Sequence, residues 1–243
     1  PFQLTGAQQR VWREIAADLN QPHPMARLLQ GDVGSGKTVV AALAMLQAVE
    51  AGHQAALMAP TEILAEQHYR KLAAWLEPLG IEVAWFAASV KKKARDEWRA
   101  KVSRGETPIA VGTHALIEAD VEFDRLGLTI VDEQHRFGVQ QRLALKKKGQ
   151  SAHQLTMSAT PIPRTLAMSY YADLDVSMLD ELPPGRTPVV TKLVAENRRD
   201  QVIGRVHDAC RAGRQAYWVC PLIEDSEALQ LKTAEETHER LAA

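Results

Sequence analysis

Residues 31–38 read Gly-Asp-Val-Gly-Ser-Gly-Lys-Thr and fit G-x-x-x-x-G-K-[ST]. That spacing suits a loop whose inward-turned backbone N–H groups cradle phosphate at a helix N-terminus, where unpaired donors and the macrodipole both favour an anion. Gly31, Asp32, Val33, Gly34, Ser35 and Gly36 would form the cradle of a nucleoside triphosphate site. Lys37 would reach the β- and γ-phosphates, and the Thr38 hydroxyl would bind Mg2+. Further on, the apolar run Leu128–Val131 delivers two adjacent carboxylates, Asp132 and Glu133. In phosphoryl transfer one acid holds the metal while another group orients the attacking water. Asp132 suits the first role and Glu133 the second, and neither needs a raised pKa to perform it. Adjacent acids are commonly no more than solvated charge; it is the phosphate loop upstream that makes this pair a catalytic candidate. Thr38 and Asp132 together supply oxygen ligands for Mg2+, with waters completing the octahedron.

Ahead of the loop stand Phe2 and Gln8. A glutamine amide can pair with the donor and acceptor on an adenine edge, and an aromatic ring can stack on the base. The same stretch also reads as a helix start with Thr5 as N-cap and Phe2 in the core. Spacing leaves both readings open.

Alternating elements must hold these groups. The periodicity predicts strands at Ala26–Leu29, Gln54–Ala59, Glu82–Phe86, Ile109–Gly112, Leu128–Asp132 and Gln154–Ser158. Helices fill the gaps at Thr38–Ala51, Glu62–Leu76, Lys91–Ser103 and Phe137–Lys147. Strand–helix alternation predicts an α/β fold, a parallel sheet with helices on both faces, whose ligands sit beyond the carboxyl ends of the strands. The chemistry falls after strands, where that rule puts it. Residues 182–188 hold three prolines and a glycine and read as a linker between a first domain at 1–181 and the truncated start of a second at 189–243. In that second part, strands are expected at Val189–Val194 and Gln215–Cys220 and helices at Asp200–Ala212 and Glu227–Leu241. Pro1 in place of Met reads as an internal start.

Composition limits the function classes. With 46% hydrophobic and 24% charged residues in 243, the chain can bury a real core. Lys and Arg number 29 against 30 Asp and Glu, a net charge of −1, so contact with nucleic acid must rest on local patches. Lys91–Arg104 carries seven basic residues against Asp96 and Glu97 and could track DNA phosphate or form a solvated helix face; the second reading is favoured. Cys210 and Cys220 make neither a ligand cluster nor a disulfide framework, which fits a reducing cytoplasm. No apolar run of about 18 residues and no secretory leader is present, which argues against a membrane partner.

Gly31–Thr38, Asp132–His135, Ser158-Ala159-Thr160 and Ala59-Pro60-Thr61 together resemble the helicase motifs of superfamily 2. Longer runs, Pro60–His68, Val111–Ile117, Asp132–Arg142, Ala159–Ala167 and Asp180–Pro188, resemble more narrowly the RecG branched-DNA helicases. The resemblance extends over nearly the whole chain and implies a RecA-like ATP-driven motor acting on stalled forks and four-way junctions. It implies that Gln8 reads adenine with Phe2 stacking, that Lys37 clamps phosphate, that Thr38 and Asp132 hold Mg2+, and that Glu133 orients water. It further implies that His135, Ser158 and Thr160 couple nucleotide state to DNA grip, and that Thr61, Gly112 and Thr113 contact the DNA backbone through hydroxyl and N–H groups. The family's later motifs, including an arginine completing the ATP site, and its DNA-binding wedge domain have no counterpart here. This stretch alone is therefore expected to bind ATP weakly and hydrolyse it slowly. Two alternatives stay open: another superfamily 2 translocase, such as a transcription-repair coupling motor, or a nucleotide- or DNA-binding module with little catalysis.

Overall fold

The structure is a computed structural model that describes residues 3–133, 137, 148, 152–160, 174–181, 187 and 189–219. Phe2, His135, most of 182–188 and the predicted helices at 137–147 and 227–241 lie outside the described residues, save Phe137 and Thr187. The chain divides into two compact units, Pro1–Arg186 and Thr187–Ala243.

Seven parallel strands make one sheet in the first unit: β1 Ala26–Gly31, β2 Gln54–Met58, β3 Val83–Phe86, β4 Ile109–Gly112, β5 Leu126–Asp132, β6 His153–Ser158 and β7 Asp175–Leu179. Their order is β3-β4-β2-β5-β6-β1-β7. Helices α1 Gly6–Leu19, α2 Lys37–Glu50, α3 Glu62–Leu76 and α4 Lys92–Ser103 connect or flank them. The strands are apolar on both faces because helices cover both. Alternation along each strand sends Leu57, Ile109, Val111, Leu128 and Ile130 to the core shared with α1, α2 and α3. Met58, Ala84, Phe86, Ala110 and Val131 go instead to a second core with Val102 of α4 and Leu116.

Helix α1 starts with a capping box. Thr5 Oγ1 accepts the Gln8 N–H at 3.2 Å, and Gln8 Oε1 accepts the Thr5 N–H at 3.0 Å. Strand β7 is an addition to the sequence reading, and it binds the sheet edge through Arg27 of β1. That guanidinium donates to Asp18 Oδ2 at 2.7 Å and to Ser177 Oγ at 2.8 Å, so β1, β7 and α1 share one polar clasp.

Gln54, at the start of β2, is buried and spends its whole amide on backbone. Its Nε2 donates to the Val102 and Thr107 carbonyls at 2.8 and 3.0 Å, and its Oε1 accepts the Arg125 N–H at 3.1 Å. Gln54→Ala removes three hydrogen bonds to backbone groups and is expected to remove roughly 2–3 kcal/mol of stability. A thermal melt should fall by about 7 °C, given the few degrees per kcal/mol typical of domains this size.

In the second unit, one helix (α5, Arg199–Arg211) forms where the sequence predicts it, after a short 3-10 turn at Glu196–Arg198. The strands predicted at 189–194 and 215–220 are not found among the described residues, which carry no regular secondary structure at 189–195 and 214–219. A strand exists only with a partner, and here Val189, Val190, Leu193, Tyr217 and Val219 stand in solvent.

Candidate nucleotide site

Strand order assembles the site. Because β6 lies between β5 and β1, the turn at Ser158-Ala159-Thr160 separates the phosphate loop after β1 from the acids at the end of β5. At about 4.8 Å per strand spacing, β1 and β5 are about 10 Å apart. Val33, Gly34, Lys37, Thr38, Asp132, Glu133, Ala159 and Thr160 line one cleft of roughly 620 Å³, with further wall from α3 and its cap, including Thr61, Gln67, His68 and Lys71.

The loop is built for an anion. Helix α2 begins with no side-chain cap, its N-cap Gly36 sits in the left-handed region at φ 95°, and no acid occupies its first turn. Its leading N–H groups therefore face the cleft without the usual side-chain acceptor. Gly36 tolerates no side chain: a Cβ there would press on the Gln8 amide, within 3.1 Å of its Cδ. Ser35 Oγ is buried with no hydrogen-bond partner. A buried hydroxyl left unpaired costs about 1–3 kcal/mol, which a bound group can recover. Lys37 Nζ donates to the Gly31 and Asp32 carbonyls at 2.6 and 3.1 Å, both within the loop. Burial lowers its pKa, while Asp132, Glu133 and Asp32 oppose that shift. An ammonium half withdrawn from water beside carboxylates is suited to exchanging two carbonyls for phosphate oxygens.

Gln8 is buried and its amide is already engaged, with Oε1 on the Thr5 N–H and Nε2 donating to the Ser35 carbonyl at 2.9 Å. The capping role and the adenine role thus draw on the same amide. Its link to Ser35 ties the start of α1 to the phosphate loop.

Glu133 carries the one positive φ among the described non-glycine residues, 49°. Such a conformation costs about 1–2 kcal/mol for a residue with a Cβ. Surrounding bonds hold it there: its N–H donates to the Met157 carbonyl at 2.9 Å, and its Oε1 accepts the Ala159 N–H at 2.9 Å. Ser158 Oγ reaches its Oε2 at 3.5 Å and lies 2.9 Å from Thr160 Oγ1. Ser158 and Thr160, predicted as coupling residues, therefore surround the acid predicted to orient water.

Two contributors were not singled out by sequence reasoning. Gln30, buried in β1, donates from Nε2 to the Thr160 carbonyl at 3.1 Å and so joins the phosphate-loop strand to the same turn. His68, buried in α3, places Nε2 2.7 Å from Asp132 Oδ2. A polar residue in the apolar run before a phosphate loop was the available signal for Gln30. His68 offered none, since its partner is 64 positions away.

The oxygen donors Thr38 and Asp132 are of the class Mg2+ takes, and an ion that keeps most of its waters needs few protein ligands.

Comparison with known proteins decides the family. The pattern of the DEAD/DEAH box helicases matches residues 5–169, a stretch that includes the phosphate loop, both acids and Ser158–Thr160. The chain belongs to the DEAD/DEAH box helicase family. Nucleotide binding follows from that membership. This helicase chain is 59% identical over 246 aligned positions to the ATP-dependent DNA helicase RecG of Pasteurella multocida, covering 99% of the chain and 36% of the relative. To RecG of Escherichia coli K12 it is 58% identical, with the same coverage. It also superimposes on RecG bound to a three-way DNA junction, with a TM-score of 0.83 and 45% identity over 100% of this chain and 31% of that one. The chain spans about a third of the length of the curated relatives it matches.

The residues predicted to contact DNA are differently placed in the helicase. Thr61 is exposed at the cleft rim, where its hydroxyl accepts the Leu64 N–H at 3.4 Å as the N-cap of α3. Gly112 and Thr113 are buried. The Thr113 N–H donates to the Phe86 carbonyl at 3.0 Å, extending the β3–β4 ladder. Part of the basic stretch is paired with acids. Arg99 meets Asp96, Glu118 and Asp120, Lys101 meets Glu82, and Arg104 meets Glu106. No helix among the described residues is long and apolar enough to cross a membrane.

Proposed function

We propose that this chain is the ATP-hydrolysing part of a RecG-type motor that remodels branched DNA such as forks and four-way junctions in the bacterial cytoplasm. The observation that carries the reading is the convergence of Lys37, Thr38, Asp132, Glu133 and the Ser158–Thr160 turn on one cleft. The RecG structure that this chain superimposes on was solved with a three-way junction. Lys37 and the open N-terminus of α2 bind the phosphates of ATP. Thr38 and Asp132 would hold Mg2+, which would supply positive charge beside the phosphoryl oxygens. Glu133, fixed by the Ala159 N–H, takes up a water for attack. A change in Glu133's occupancy is felt at once by Ser158 and Thr160, and through Thr160 by Gln30 and β1. That chain of bonds lets the state of the nucleotide alter the grip on DNA. Contacts to the DNA backbone alone suit a motor that must act on any sequence.

The test is a comparison of wild type with Lys37→Ala in the full-length helicase, measuring binding of a fluorescent ATP analogue and junction-stimulated phosphate release. Loss of the charged clamp should lower turnover roughly 10²–10³-fold. Turnover within a factor of a few of wild type would overturn the assignment.

A further inference from the structure

His68 is a polar group of this cleft that the proposed chemistry leaves without a task. It projects from the second turn of α3, and the residue is buried at 8% exposure. Nε2 lies 2.7 Å from Asp132 Oδ2, while Nδ1 is buried with no hydrogen-bond partner. A ring held for packing alone would be better served by an apolar side chain of similar size, because burying an unpaired ring nitrogen is unfavourable. The unpaired Nδ1 shows that the site keeps the imidazole for what Nε2 does.

What Nε2 does is fix one carboxylate oxygen. Asp132 ends β5 and is itself buried. A carboxylate at a strand end can rotate about its last bond and offer either oxygen, or both, to a cation. With Oδ2 engaged by the imidazole N–H, Oδ1 is the carboxylate oxygen left for a cation in the cleft that Asp132 and Thr38 both line. Hydrogen-bonded partners of this kind orient metal ligands, and their removal commonly weakens metal affinity or activity by 10–100-fold. We propose that His68 is a positioning residue that orients Asp132 for Mg2+-dependent nucleotide binding. It acts through Asp132 and touches neither the nucleotide nor the cation. This inference rests on the ATP and Mg2+ reading of the cleft.

The experiment uses the full-length helicase and a fluorescent ATP analogue, titrated with and without Mg2+. In wild type, Mg2+ should tighten binding. In His68→Ala, the Mg2+ concentration giving half of that tightening should rise at least tenfold, while affinity without Mg2+ stays as in wild type. His68→Gln sets an amide nitrogen near the place of Nε2 and should restore the wild-type Mg2+ dependence to within about threefold. Binding of Mn2+, followed by electron paramagnetic resonance, should show the same order of the three proteins without any turnover.

A purely structural His68 would move the two affinities in parallel, together with the melting temperature. That result, an unchanged Mg2+ dependence in His68→Ala, or the absence of rescue by His68→Gln in a folded variant would overturn the proposal. A wild type that binds nucleotide with no response to Mg2+ would instead overturn the reading of the cleft on which it stands.

Discussion

Glu133→Gln should bind the ATP analogue as wild type does and hydrolyse ATP at least about 10²-fold more slowly, the range for loss of a positioned base being roughly 10²–10⁴. The substitution is isosteric and keeps Oε1, so it retains the bond from the Ala159 N–H at 2.9 Å. The backbone need not change either, because the left-handed φ of 49° is held by the N–H bond to Met157 and not by the side-chain charge. Only the negative charge that polarises water is lost. The measurement is single-turnover phosphate release beside equilibrium nucleotide binding. Retained turnover would assign the water-orienting role to a different group. Loss of binding would show instead that the carboxylate holds the loop together. Because Glu133 and Asp132 both support the charge on Lys37, a modest change in salt dependence of binding is expected as well.

Gly112→Ala should have the largest effect on stability. Gly112 ends β4 opposite Phe86 of β3 on one side and Met58 of β2 on the other. A Cβ at 112 would lie 2.8 Å from Phe86 Cβ and 2.9 Å from its carbonyl carbon, and closer still to that oxygen. Phe86 is fully buried and its backbone is in the sheet, so no side-chain rotation relieves the clash. The strands must part, which also breaks the Thr113 N–H bond to Phe86 at 3.0 Å. Overpacking of this kind costs about 3 kcal/mol, and the melting temperature should fall by about 9 °C. If Gly112 serves DNA instead, the variant would melt as wild type while its affinity for a forked duplex drops. The stability result separates a glycine required by strand packing from one required by a ligand.

The same residue shows how much a motif conveys. Val111–Ile117 resembles a family run, and the resemblance assigns it to DNA contact. The structure gives Gly112 and Thr113 a packing task that resemblance alone cannot reveal, because Phe86 lies on a strand 26 positions before Gly112 and 27 before Thr113. Strand β7 was illegible for a different reason. Asp-Val-Ser-Met-Leu is short and half exposed at the sheet edge, so it has neither the apolar run nor the clean alternation that marks a strand. The strands expected at 189–194 and 215–220 err the other way. Their apolar content is what a buried strand needs, but pairing among the described residues is missing, and content without pairing makes no ladder.

By itself the sequence determined the parts whose function is contiguous. A phosphate loop works through successive N–H groups of one turn, and the acids of Asp132-Glu133 follow directly from the end of one strand. Both are written in neighbouring residues. Helix and strand periods likewise placed most elements of the first unit within a few residues. Only the tertiary structure decided which strand stands between β1 and β5, since sheet order depends on crossovers that leave no local signature. From that order come the bonds of Glu133 to Ala159 and of Gln30 to Thr160. The helix packed over the sheet then brings His68 to Asp132. These join residues far apart in the chain, and short-range sequence pattern carries no information about which buried polar groups will meet.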